Sequence, residues 1–563
     1  MNYYKKCVFF FIFSFCIILK SGYADTTFNA VQQQNIHQQQ RQKALKSQLD
    51  TIGKDVHAEE EPKVSQSLTF IDTPSCLLIK QVLLEQDRDI ARRLSVQHVA
   101  NQAVGHCMSS HNIKVAVINL QNKLIASGYI TSGVILPEQN VGEGQLRIKI
   151  SSGKIGKLFL LKDADKYVHI ANTFPTQQGK RLNLRDIEQG LENMQSIPGS
   201  EVHINLLPAA EPDTTDVAIE RYQSSFWRLA NWIDDSGSRA SGRYQAGIAF
   251  YLDNPTSLND LFYISATHDL HHNAAFGSRS TAVNYTVPYG YWSFNLYASK
   301  SQYHQQLSGD FSDFRYQGKD QVTSGKISRI LHRGAQQKTT LSTQLIKRNA
   351  HYYVADVELE LQKIDTTQLR LELAHRHYLR DAVIDSSLGF QRNVRWLRSQ
   401  QTAEAQAGTA SDISRIVTLD LQALVPFHIA DLSLSWQPHY YQQYTADTLV
   451  SQDQISMGNR WSVRGFDGEN TLTGDRGWYF SNTLNLDLSQ TGNHQLYSGM
   501  DYGRVSQFNQ SWGTGKAIAG AVIGIKGQQW HTGYDLFAGI PVIKPNDMLT
   551  DNLTLGMTLQ WMY

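Results

Sequence analysis

The stretch LTLGMTLQWMY, residues 553–563, places Leu555, Met557, Leu559, Trp561 and Tyr563 on one face of an extended chain, opposite Thr554, Gly556, Thr558 and Gln560. Successive side chains of a strand point to opposite sides, so a strand written this way has one apolar and one wet face. The same period of two recurs upstream. Trp292, Phe294, Leu296 and Ala298 alternate with Ser293, Asn295, Tyr297 and Ser299. Tyr353, Ala355, Val357, Leu359 and Leu361 alternate with Val354, Asp356, Glu358, Glu360 and Gln362. Val417, Leu419, Leu421 and Ala423 follow the rule, as do Trp478, Phe480, Leu484, Leu486 and Leu488. A soluble β-sandwich would have to bury Asp356, Glu358 and Glu360 in a row, at several kcal/mol per unpaired ion. A water-filled lumen accepts them, so residues 221–563 are expected to form a transmembrane β-barrel. About 340 residues at ~20 per strand and connection correspond to about 16 antiparallel strands, with ~9–11 residues of each crossing the bilayer.

Composition agrees with this reading. The chain has 563 residues, of which 18% are charged, with 39 Gly, 26 Tyr and 10 Trp. Its 52 Lys+Arg against 51 Asp+Glu leave no basic field for nucleic acid. No apolar run reaches the ~18 residues of a spanning helix. A mean hydropathy of −0.37 excludes no barrel, because alternation hides the apolar face.

The segments before the barrel are of a different kind. Residues 1–24 read as a secretory signal peptide: Lys5 and Lys6, the apolar run Cys7 to Leu19, then Gly22 and Ala24 at the cleavage positions. Its removal takes three Lys and no acid, so the net charge goes from +1 to −2. Cys76 and Cys107 then remain, and two cysteines in an exported chain read as one disulfide. The alternative, a metal site completed by His106 and His111, lacks the paired spacing of zinc motifs. Residues 25–50 carry many Gln and no Pro or Gly, a helix polar nearly all round that suits a wet cavity, or else a disordered tail. Residues 51–67 read as a linker. Two small α/β modules are expected at 68–152 and 153–220. In the first, Ile113, Val117, Leu120 and Leu124 recur at helical spacing before Gly128; in the second, Asn183 caps a helix with Leu184, Ile187, Leu191 and Met194 on its core face.

At this point particular motifs resemble a known family. NWIDDSGSRASGRYQAGIAFYLDN, residues 231–254, followed by Pro255, is similar to the first barrel hairpin of two-partner secretion translocators, the TpsB proteins of the ShlB/FhaC/HecB haemolysin-secretion type. LNLRDIEQGLENMQSIP at 182–198 resembles their second POTRA domain. PSCLLIKQVLL at 74–84, with Cys107 and YITSGVILPEQNVGEGQLRIKI at 129–150, resembles their first. Val463-Arg464-Gly465-Phe466 is similar to the tetrad at the tip of their inward-folded loop, around 451–475. Gly499, Asp501 and Gly503 match the G-x-D-x-G of the barrel wall.

The resemblance implies a plug helix at 25–50, two periplasmic POTRA domains and a 16-stranded barrel in the outer membrane of a Gram-negative bacterium. It also implies export of one large TpsA-type exoprotein: a haemolysin, an adhesin or a contact-dependent inhibition toxin. The terminal aromatics Trp561 and Tyr563 resemble the signal read by the barrel-assembly machinery. Outer-membrane lipids are the other expected partners, and the barrel is expected to be a monomer.

The residues carry a physical reading of their own. Strand parity points Gly499, Asp501 and Gly503 into the lumen, where glycines let a loop approach the wall. Arg464 could then form a two-pronged bond to Asp501, which a Lys would make less well. As an isolated tetrad, VRGF would equally serve as an extracellular turn. A barrel-borne enzyme is the alternative from another class, but there is no G-x-S-x-G, no H-E-x-x-H and no Walker-type loop. The pair His375/His377 and the cluster His268/His271/His272 complete no catalytic motif. No catalytic residue, cofactor or metal is therefore expected. A general barrel-assembly factor is the alternative within the superfamily; more POTRA domains and no plug helix would distinguish it.

Overall fold

The computed structural model describes residues 21–50, 56, 76–85, 96–271, 273–308, 312–488, 493–510 and 515–563. The expected signal peptide up to residue 20, and the expected linker apart from Val56, lie outside the described residues.

The first module is built around the helix Ser110–Ala126. Ser109 caps it by accepting the Asn112 N–H, and Gly128, at φ +91°, ends it. Ile113, Leu120 and Leu124 bury against Leu146, Ile148 and Ile150. These come from Gln145–Ser151, which pairs parallel with Gln81–Glu85 and antiparallel with Gly133–Ile135. A Cys76–Cys107 disulfide ties the start of the described module to its helix side.

The second module repeats the scheme. Asn183 accepts the Arg185 N–H at the start of Leu184–Gln195, and Ile187 and Met194 are buried. The strand Thr214–Gln223 lies between Lys154–Leu160 and Ser200–Pro208. Thr214–Gln223 then leads directly into the barrel, which fixes the periplasmic side of the wall.

Sixteen long antiparallel strands, from Trp227–Asp234 to Thr554–Met562, close on each other. The seam runs from Asp234 opposite Thr558 to Ala230 opposite Met562. Turns such as Gly290-Tyr291 and Arg380-Asp381 are tight on the periplasmic side, while the connections at the other end are longer. Parity holds around the wall. Leu296 is 63% exposed toward lipid while its neighbour Tyr297 is buried toward the lumen.

One expected strand is corrected. The run 353–362 does not carry Asp356, Glu358 and Glu360 down the lumen. The strand Gln337–Val354 ends there, Ala355 (φ +47°) and Asp356 (φ +65°) reverse the chain, and Val357 pairs back on Val354. Two successive positive φ values make a hairpin turn that matches strand twist. Glu358 bonds to His351 and Glu360 stands in solvent at the outer rim. Alternation of apolar residues continues through such a turn, so periodicity alone could not locate it. The barrel stands on the other strands.

Candidate functional site: an occluded lumen

Two elements fill the pore. The first is the helix Ser21–Leu49, which starts four residues before the expected plug. Its contacts are polar. Gln34 and Gln38 donate to Ser241 at 2.6 and 2.9 Å, Ser238 donates to Gln34, and Arg41 donates to Ser236 at 3.2 Å. These serines lie in the connection after the first strand. Gln33 accepts the Thr471 N–H at 2.9 Å and Gln40 donates to the Ser456 carbonyl at 3.1 Å, so the helix also touches the inward loop. Apolar anchorage is limited to patches: Val31 meets Tyr303, Tyr316 and Tyr352, and Leu45 and Leu49 meet Trp232, Tyr251 and Tyr263.

The second element is the chain between the strands Leu432–Thr445 and Arg476–Asp487, which folds back into the lumen. A short ribbon, Ile455–Met457 with Leu472–Gly474, stiffens its stem. Asp475 accepts the Leu449 and Phe508 N–H groups at its base. At the tip Gly465 takes φ +99°, which only glycine adopts without strain, against the Ile540 carbonyl. Val463 and Phe466 bury with Met457, Ile518 and Met548.

Arg464 and Asp501 are brought together. The Arg464 Nε donates to Asp501 Oδ2 at 2.7 Å, Nη2 to Oδ1 at 2.8 Å, and the Arg464 backbone N–H to Oδ2 at 2.9 Å. Asn482 N–H adds a fourth bond at 3.1 Å. The carboxylate is wholly enclosed and the guanidinium 17% exposed. A lumen wet enough to hydrate this pair is therefore not what surrounds it. A Cβ on Gly499 would strike the Arg464 guanidinium, and one on Gly503 would lie 2.9 Å from Val463 Cγ2.

Sequence reasoning missed two parts of this seat. Gly520 and Gly539 continue the bare strip: a Cβ on either would run into the Arg464–Gly465 backbone. They fit no short motif, though their inward parity could have marked them. The other is a second anchor farther round the same arc of wall, where Arg460 bonds to Asp235 just beyond the first strand. Asp235 also accepts the Met557 N–H at 2.9 Å and a bond from Arg243 at 3.2 Å, so it joins the loop to the barrel seam. Burial pushes this carboxyl up, but the Arg460 charge and the bonds from Arg460, Met557 N–H and Arg243 outweigh it and hold it below its usual range.

Trp561 lies opposite Asn231 at the seam, and Tyr563 exchanges main-chain bonds with Leu229 at 2.9 and 3.0 Å. Cys76 and Cys107 are joined in the first module.

The occluded barrel with two modules beneath it matches a family profile described as "Haemolysin secretion/activation protein ShlB/FhaC/HecB" over residues 213–527. The chain belongs to this family. A ShlB-type POTRA domain matches residues 77–153 and a further POTRA domain 154–208. The outer membrane transporter CdiB-2 of Burkholderia pseudomallei (strain 1026b) is 33% identical over 487 residues, 84% of this chain and 81% of that protein. The hemolysin transporter protein ShlB of Serratia marcescens is 26% identical over 421 residues, 73% of each. The solved structure of CdiB from Acinetobacter baumannii shares the fold, with a TM-score of 0.83 at 24% identity over 95% of this chain and 99% of that one. This family member is a two-partner secretion transporter of the outer membrane and not an enzyme, with its POTRA domains in the periplasm.

Proposed function

We propose that the protein takes one large TpsA-type exoprotein from its POTRA domains and exports it, unfolded, through the barrel once the plug helix has left. The observation that carries this reading is the nature of the plug. It is held by glutamine, serine and threonine bonds, each with a net contribution of about 0.5–1.5 kcal/mol, rather than by a continuous apolar core. Such a seal releases piecemeal, with water taking over each bond. The Arg464–Asp501 pair, with Val463, Gly465 and Phe466 seated against the glycine strip, would keep the inward loop on the wall while the plug moves. Trp561 and Tyr563 would serve insertion of the barrel. The cargo class, whether haemolysin, adhesin or inhibition toxin, is that of the family. The test is secretion of a TpsA-type exoprotein co-expressed with this chain, with and without residues 68–220. Secretion should vanish while the barrel still inserts; undiminished secretion would end the proposal.

A further inference from the structure

The outward face of the barrel carries a feature that transport through the lumen does not use. Strand register sorts this face into lateral rows. One row runs Leu252, Phe262, Tyr285, Leu296, and the next Phe250, Ile264, Val283, Ala298. Both suit acyl chains. The third row runs Ile248, Ala266, Thr281, Lys300, and the fourth Ala246, His268, Arg279, Gln302, Lys319. The change from apolar to cationic is abrupt.

Its height follows from geometry. Lys300 is eight residues from Trp292, itself at the periplasmic turn, so at ~3.3 Å per residue and a tilt of ~40° it stands ~20 Å higher. That is close to the top of an apolar band ~25 Å tall. Arg279 and Lys319 lie opposite Gln302, two residues farther along the same strand, so the three cations reach the level of the outer leaflet's headgroups.

Arg279, Lys300 and Lys319 are all exposed. Gln302 stands between Arg279 and Lys319 in the row, and its Oε1 accepts from Arg279 Nε and Nη2 at 3.0 and 2.7 Å. Lys319 rests 4.6 Å over the Tyr353 ring. Neither row contains an acidic residue across these strands, and among the described residues no carboxylate forms an ion pair with any of the three. Glu358, on the hairpin beyond His351, is bonded to His351. Below the cations, small side chains leave a groove of about 570 Å3, floored by Ala246, Ile248 and Ala266 and rimmed by Arg279, Lys300 and Gln302.

An unneutralised cationic rim above an apolar hollow needs an occupant with a matching order: phosphate above, hydrocarbon below, resident in the membrane. We propose that Arg279, Lys300 and Lys319 bind the phosphate of an outer-leaflet glycolipid of the lipid A class, with an acyl chain laid over Ala246, Ile248 and Ala266. Charge-assisted bonds from a guanidinium and two ammonium groups suit a phosphate dianion, and Arg279 keeps donors beyond those it gives Gln302. The inference rests on the outer-membrane location and not on the export reading, so either can fail alone.

The experiment extracts the full chain from outer membranes in mild detergent and measures retained lipid A by native mass spectrometry. It then challenges the protein with bis-phosphorylated lipid A, dephosphorylated lipid A or inorganic phosphate. Wild type should retain lipid A, and the triple variant Arg279→Gln/Lys300→Gln/Lys319→Gln should retain at least about tenfold less, with each single substitution losing about threefold. Only the phosphorylated lipid should exchange with the bound one. Heat-modifiable gel migration verifies that every variant is a closed barrel, and the single substitutions decide the matter if the triple variant does not insert. Lys516→Gln, whose partner is Asp547 on another connection, should retain lipid as wild type does. Retention equal to wild type by the triple and single variants would overturn the proposal. So would displacement by inorganic phosphate alone, which would reveal an anion site without a lipid.

Discussion

Asp501 satisfies the charge of Arg464 and also caps two backbone N–H groups, those of Arg464 and Asn482. Removing it therefore costs more than one ion pair. Breaking a buried pair by deleting one partner costs ~3–5 kcal/mol, and the complete enclosure of this carboxylate points to the upper part of that range. Arg464→Ala and Asp501→Ala should each depress secretion at matched barrel levels, and the double variant should be no worse than Asp501→Ala. Arg464→Lys should also be impaired, because a single ammonium cannot reach both carboxylate oxygens as the fork does. Additive losses would show that the two residues act separately. At the second anchor, the sign of the Asp235 shift sets a pH window. A carboxyl held low in the folded state contributes fully above its ordinary value of 3.8 and loses that contribution only as pH falls through its folded value. Protease protection of the inward loop should thus be flat from about pH 8 to pH 5 and persist below the point where free carboxylates protonate. Arg460→Ala should lose protection across that whole interval, and an unchanged digestion pattern would remove Arg460 from the loop's anchorage.

Elements differ in how much of them is local. The helix Ser21–Leu49 was legible from residue 25 onward in its run of Gln, Ala, Leu and Lys without Pro or Gly, because helix propensity is a property of the residues themselves. Its seat was not, since Gln34 and Ser241 lie 207 positions apart and neither has a pattern that names the other. If the helix is the pore's main obstruction, deletion of residues 25–50 should raise single-channel conductance in planar bilayers several-fold while secretion continues. Unchanged conductance would mean that the inward loop alone closes the lumen. The inward loop was legible at its tip, where VRGF and G-x-D-x-G stand 35 residues apart in order, and illegible at Arg460 and Asp475. The hairpin at Ala355-Asp356 shows the converse limit. Apolar residues on both sides of a turn can keep step, so a period of two records which residues face lipid but not where the strand stops.

At the scale of the whole molecule the architecture is separable. The first POTRA domain carries its own core and, among the described residues, the only disulfide. With 31 positions between Cys76 and Cys107, opening the disulfide should cost that domain about 3.7 kcal/mol in the chain-entropy picture. A Cys76→Ser/Cys107→Ser variant should therefore show earlier protease cleavage within residues 76–152 and an unaltered heat-modifiable barrel. A barrel that melts earlier as well would show that the two parts are thermodynamically coupled. By itself the sequence determined the barrel, its approximate strand number, the two modules beneath it and the residues that meet at the loop tip. Alternation, helix caps such as Asn183, and glycines that clear a wall are short-range signals, readable over a few residues. Only the tertiary structure decided that Arg460 reaches Asp235 at the barrel seam, that Gly520 and Gly539 complete the strip under Arg464, and that Arg279, Lys300 and Lys319 gather on one outer face. Those placements depend on strand register and on closure of the sheet. Both are settled by the summed pairing of sixteen strands, and no local stretch of sequence encodes them.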